Sequence, residues 1–362
     1  MHRLIPLLLL LLGLALVAPA HAENSWWQAE WKYRKPITVD AGPQGAALGG
    51  TAGRMPVLVR LHTGNFAFDG VTEGGKDLRF VAADGRSVLN HQVEQFDPAL
   101  GIALVWVDVP AVAGDAPQTI WMYYGNANAP AAGSDQRTFD PDYLAVHHFL
   151  GGAAGSQDTT AYGNHLAGAL QPAAAALIGA GAQLGAEPLR LPGSASMALP
   201  AEAAMTVSMW VKPEQLGAMQ ALYARREGEH ALLLGVDNGV PFVQLDQARS
   251  AAVAPLVAGQ WAHVAMTAGE GVLRLYVAGR EVAQAQGALP AFNGDALVGG
   301  DAVADATAAV TVPAAQPFQG AIDELRVSKI ARSPVQLLAD ASSQGGDARL
   351  LSFGEDEQSA GT

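Results

Sequence analysis

Retaining glycoside hydrolysis needs two carboxyl groups about 5–5.5 Å apart. On a strand that means acids two or four residues apart on one face, because successive side chains alternate. Glu227 and Glu229 have that spacing but fall in a Gly-bearing turn. Asp323 and Glu324 are neighbours in the strand-like run GAIDELRV, so alternation is expected to send them to opposite faces. His147 and His148 are adjacent too, which predicts one half-buried and one outward ring. No H-x-x-x-H or carboxylate triad accompanies them. His263, between Ala262 and Val264, reads as structural. No segment joins a strand, Gly-x-Gly and a helix, so nucleotide binding has no support. On this reading there is no catalytic and no cofactor-binding residue. Trp31, Trp106, Trp121, Trp210 and Trp261 sit inside strand patterns and are expected in cores. Trp26 and Trp27 precede the first strand and are the pair expected as an exposed aromatic contact.

The elements that position these residues read as all-β. Between Trp26 and about Asp140 lie the runs Trp31–Val39, Met55–Leu61, Leu78–Ala82, Ala103–Val109 and Gln118–Tyr124, with a D-G turn signal at Asp84-Gly85. Short strands at this spacing suggest a β-sandwich over residues 23–140. Ala127–Phe139 is rich in small and polar residues and reads as a linker between independent domains. A second strand-rich domain runs from 142 to 354. It includes Tyr143–Leu150, Met205–Val211, an Asn238-Gly239 hairpin, Trp261–Thr267 and Val272–Val277, with a short helix or turn over Ala331–Leu338. Residues 355–362 read as a frayed tail.

The chain of 362 residues carries a formal net charge of −13, and loss of Arg3 with a leader makes it one unit more negative. Such a surface argues against nucleic acid or an anionic membrane as partner. There is no cysteine, so disulfides play no part in the fold. Arg3, the apolar run Leu4–Ala18 and Ala20-His21-Ala22 read as a signal peptide over residues 1–22, with Glu23 heading the mature chain. The run is shorter than the ~20 residues of a spanning helix, and no second one follows. A periplasmic or secreted protein with no transmembrane segment in its mature chain is expected.

Two stretches carry resemblances. "W-x-Y-R-K-P-I-T-V", "L-V-R-L-H-T-G-N-F", "D-L-R-F-V-A-A-D-G", "V-W-V-D-V-P" and "I-W-M-Y-Y-G-N" resemble, in order, a bacterial β-module of unknown function. That module is found ahead of jelly-roll domains and of TolQ/ExbB-type proton-channel domains. "F-x-G-x-I-D-E-L-R-V" and "Q-W-A-H-V-A-M-T … L-R-L-Y-V-A-G-R-E-V" resemble the laminin-G-like, concanavalin A-like jelly roll. The resemblance implies a C-terminal jelly roll after the N-terminal β-sandwich. It also implies one structural Ca²⁺ held by Asp158, Asn164 and Asp323, although Ala161 and Tyr162 depart from the family's loop. The implied function is a non-catalytic binding or scaffold protein of the cell envelope, partnered by an envelope protein, a glycan or a separate proton-channel subunit. The alternatives are a lectin or adhesin and, further off, a glycoside hydrolase.

Overall fold

The computed structural model describes residues 26–130, 132, 135–150, 157–302, 312–346 and 349–360. The leader read at residues 1–22 lies outside them. No helix among the described residues is long and apolar enough to cross a membrane.

Tyr33–Val39 and Gln118–Tyr124 are rich in aromatic and β-branched residues, and they pair antiparallel through Ile37 and Ile120. They anchor a six-stranded sheet. Facing it is a three-stranded sheet of Gly53–His62, Ile102–Val112 and His91–Asp97. Ile37, Val57, Val59, Phe80, Val105 and Val107 fill the space between. His91–Asp97 (HQVEQFD) is a strand that the sequence pattern does not announce, because it lacks an aliphatic run.

In the C-terminal domain an eight-stranded and a seven-stranded sheet enclose the largest core, which includes Val207, Met209, Leu234, Val243 and Leu275. The expected Asn238-Gly239 hairpin is present, with φ of 48° and 81°. A two-residue type I′ turn demands positive φ at both positions. The chain is therefore all-β, a β-sandwich followed by a jelly roll.

The two sandwiches stack. Leu58, Leu104 and Trp106, on the outward side of the three-stranded sheet, pack with Phe139, Tyr143, Val146 and Ile178 of the linker and jelly roll. The result is four layers of sheet. The strand Gly320–Ser328 lies in the third layer and is buried along its whole length, although it carries three charged residues. One of its faces meets the jelly-roll core, and the other meets the N-terminal sandwich.

The C-terminal segment departs from expectation. The helix is longer than Ala331–Leu338 suggested, running Pro334–Gln344 with Ser333 capping the Gln336 amide and proline in its first turn. Leu338 and Ala339 reach the N-terminal core, while Leu337 packs with Ala265 and Tyr276 of the jelly roll. Leu351–Phe353 and Glu357–Gln358 then pair with Tyr33–Val39. The supposed tail is thus an edge of the N-terminal sheet, fastened by Arg34–Glu357 at 2.7 Å and Lys35–Asp356 at 3.2 Å. It covers backbone groups that an edge strand leaves open. Proteolytic cleavage within 127–139 should consequently leave two fragments that co-elute at native mass on gel filtration. Fragments that separate without denaturant would contradict this arrangement.

Trp26 and Trp27 are half-buried rather than displayed. Trp27 packs on Trp31 and Tyr123 at 4.9 and 5.6 Å, and the Trp26 indole N–H donates to the Trp31 carbonyl at 2.7 Å.

Candidate functional site

The charged face of Gly320–Ser328 is set by a β-bulge. Its register against Met205–Pro213 shifts between Ser208 and Trp210, and Glu324 adopts φ of 50°. The extra residue breaks strict alternation. Ile322 and Leu325, three apart, both enter the jelly-roll core. Asp323 and Glu324 therefore lie together on the opposite side, which corrects the expectation that they face apart.

There they join Glu94 of the unannounced strand and His148 from the end of Tyr143–His147. His148 Nδ1 lies 2.6 Å from Glu324 Oε1 and 3.7 Å from Glu94 Oε2. The Trp106 indole N–H donates to Glu94 Oε2 at 2.7 Å, and the His148 ring stacks on Trp106 at 5.6 Å. Arg326 reaches Glu324 Oε2 at 2.9 Å and Asp340 Oδ1 of the helix at 3.2 Å, with its guanidinium 4.5 Å from the Trp106 ring centroid. Arg60 closes the far side by donating to the carbonyls of Ser343, Gln344 and Gly345 at the helix C-terminus, where a cation also meets the negative end of the helix dipole.

Burial dominates the electrostatics. It pushes the Glu94 carboxyl up to about 7 against the pull of His148, and with Glu324 nearby it raises Asp323 as well. Burial opposes a charge on His148, but Glu324 and Glu94 outweigh it and the imidazole is raised. Glu324 is lowered, because His148 and Arg326 overcome its desolvation. A raised imidazole and a lowered carboxyl describe an ion pair. His147 is buried as well, at 0 % exposure, and burial lowers it to about 4. Neither histidine is the outward ring expected.

The structure does not gather the residues singled out for Ca²⁺. Asp158 and Asn164 are together, the Asn164 amide donating to Asp158 Oδ2 at 2.9 Å. Asp158 also accepts from the Val146 and Thr160 amides and the Thr160 hydroxyl. Those four donors occupy the carboxylate's roughly four lone-pair positions. Asp323 lies across Tyr143–His147 from Asp158. Its carboxylate takes the Leu177 and Ile178 amides at 3.0 and 2.8 Å and that of Glu324 at 2.8 Å. Ca²⁺ takes six to eight converging oxygens, whereas the carboxylates of Asp158 and Asp323 are each engaged by backbone amides on different sides of that strand. Glu227, the exposed acid of the turn, accepts from the Asn293 and Gly294 amides instead of facing a partner acid.

A solvent-open cleft of about 380 Å³ lies at the junction of the sandwiches. Its walls include Arg54 and Asn90 from the first domain, Gln136 and Arg137 from the linker, and Tyr162 from the jelly-roll loop. Arg54 is held bidentately by Asp108 at 2.8 and 2.9 Å, and Asp140 by Arg332 at 2.8 and 2.9 Å. The Tyr162 ring is 40 % exposed and pinned by its hydroxyl to the Pro141 carbonyl at 2.9 Å. Sequence reasoning noted Tyr162 only as a departure from the family loop, and that departure supplies the cleft's aromatic face.

Residues 185–337 match the family model described as the concanavalin A-like lectin/glucanases superfamily. Residues 74–145 match a domain of unknown function, DUF2341. Among solved structures, domain 4 of AbnA, a GH43 extracellular arabinanase from Geobacillus stearothermophilus in complex with arabinotriose, aligns at 22 % identity and TM-score 0.40. The alignment covers 55 % of this chain and 98 % of that one. The binding domain of Paraclostridial Mosquitocidal Protein 1 aligns at 10 % identity and TM-score 0.44, covering 56 % and 52 %. The botulinum neurotoxin serotype D binding domain aligns at 12 % and 0.45, covering 58 % and 52 %. The chain spans about half the length of these two toxin domains. No curated protein compared with the chain matches it.

Proposed function

We propose that the protein is a non-catalytic binding module of the cell envelope, working outside the cytoplasm, that seats a saccharide in the cleft between its sandwiches. The carrying observation is the make-up of that cleft. A half-exposed Tyr162 ring, pinned through its hydroxyl, shares the cleft wall with the planar polar side chains of Arg54, Asn90, Gln136 and Arg137. An aromatic face suits the C–H surface of a sugar ring, and amide and guanidinium groups suit its hydroxyls. Junctions between domains are preferred places for such sites. The clustered acids Glu94 and Glu324 have side chains at 0 % exposure and are engaged with Trp106, His148 and Arg326, and Asp323 beside them is held by backbone amides. That supports binding over hydrolysis.

The reading is tested on immobilised short oligosaccharides, neutral and acidic. Tyr162→Ala and Arg137→Ala should each weaken retention about tenfold, ~1.4 kcal/mol, whereas Leu100→Ala, at an exposed site outside the cleft, should change nothing. Retention indifferent to Tyr162→Ala, or lost equally in Leu100→Ala, would move the ligand elsewhere.

A further inference from the structure

Glu94, His148 and Glu324 each present a ligand atom, all within 4.8 Å of one another. His148 and Glu324 come from neighbouring paired strands of the jelly roll, and the stacking of the N-terminal sandwich brings Glu94 to them. We propose that this triad is a binding site for a divalent transition-metal ion of the Zn²⁺ class, fastening the N-terminal sandwich to the jelly roll.

One imidazole nitrogen with two carboxylates is a donor set that such ions take, at about 2.0–2.2 Å per bond. His148 Nδ1 lies 3.7 Å from Glu94 Oε2, near the roughly 3.3–3.6 Å between ligand atoms on a tetrahedral ion, while its 2.6 Å contact with Glu324 Oε1 is a hydrogen bond that must lengthen on binding. Small rotamer adjustments convert the hydrogen-bonded arrangement into a coordinating one.

Outer partners already aim the ligands, as metal sites require. Arg326 holds Glu324 by Oε2 and leaves Oε1 toward the imidazole. Trp106 holds Glu94 by Oε2 and stacks on His148. Glu94 Oε1 is buried and has no hydrogen-bond partner. A side chain on Gly179 would put its Cβ 2.1 Å from that oxygen, so the jelly-roll loop is shaped to leave the carboxylate its room.

A bound metal ion takes His148 as the neutral imidazole. Access exists as well, because His148 lines a surface cavity of about 140 Å³ with Gln92, Asp158 and Thr159.

The test uses the full mature chain, stripped with chelator, loaded with Zn²⁺ and passed through gel filtration. One retained zinc per chain is expected. Its X-ray absorption edge should show one imidazole among oxygen donors, and the melting temperature should rise by at least ~5 °C over the stripped protein. His148→Gln should weaken zinc binding at least a hundredfold, while Asp158→Asn should leave the affinity unchanged. If His148→Gln does not fold, the edge spectrum of the wild type decides alone. No retained zinc, a shell without imidazole or with several, or equal binding by His148→Gln overturns the proposal.

Discussion

Replacing Arg326 by methionine should destabilise the protein by about 3–5 kcal/mol, the cost of leaving buried carboxylates without their counter-charge. Arg326 is 2 % exposed and holds Glu324 at 2.9 Å and Asp340 at 3.2 Å while lying over Trp106 and Phe139. Methionine keeps much of the apolar stem and none of the charge. In urea, with a slope of about 2 kcal/mol per molar, the midpoint should fall by roughly 2 M. Adding Glu324→Gln and Asp340→Asn to the same chain should recover part of the loss, since neutral amides need no counter-charge. A midpoint shift below about 0.5 M would mean that water reaches these carboxylates and that the sandwiches are not packed as described.

The second large effect is on acid stability. His91 and His147 are lowered by burial to about 4, and His263 to about 3. The unfolded chain protonates all three near pH 6.5. A folded pKa below the unfolded one contributes stability above the unfolded value and loses it as pH falls. Glu94, Asp323 and Asp340 act in the opposite sense, because burial raises them and the folded state holds protons that the unfolded chain has released. The histidine share is therefore read by difference. Between pH ~4.5 and ~6.5, His263→Leu should lower the slope of the urea-midpoint profile by about one proton, or ~1.4 kcal/mol per pH unit, relative to the unsubstituted chain. Above pH ~6.5 the two profiles should run parallel. Profiles that run parallel over the whole range would show that His263 is not held neutral in the interior.

The sheets were legible in the sequence because their strands are short runs rich in β-branched and aromatic residues bounded by turns. Tyr33–Val39, Gln118–Tyr124 and Val272–Val277 show that make-up, and Asn238-Gly239 shows the turn chemistry. What escaped lies between the sandwiches. His91–Asp97 is covered on its outward face by polar partners from the other domain, Thr159 on Gln92 and His148 beside Glu94, so its residues resemble a loop. The bulge at Glu324 leaves no mark in GAIDELRV, because glutamate at φ of 50° has no sequence signature comparable to glycine's. The return of residues 351–358 to the first strand depends on where the chain ends up in space, and its short polar strands carry no period. The backbone amides that occupy the Asp158 carboxylate belong to strand and loop geometry that composition does not encode. Tyr162 became meaningful only once Arg54 and Asn90 of the other domain shared the cleft wall with it.

The claim that the cleft binds saccharide without cleaving it is most directly tested by isothermal titration calorimetry. The oligosaccharide best retained in the immobilised screen is injected into the full mature protein. The expected trace saturates at one ligand per chain and returns to baseline after each injection, and with Tyr162→Ala the binding is about tenfold weaker. Heat that persists after each injection, with new reducing ends in the recovered sample, would contradict it and show that the protein turns its ligand over.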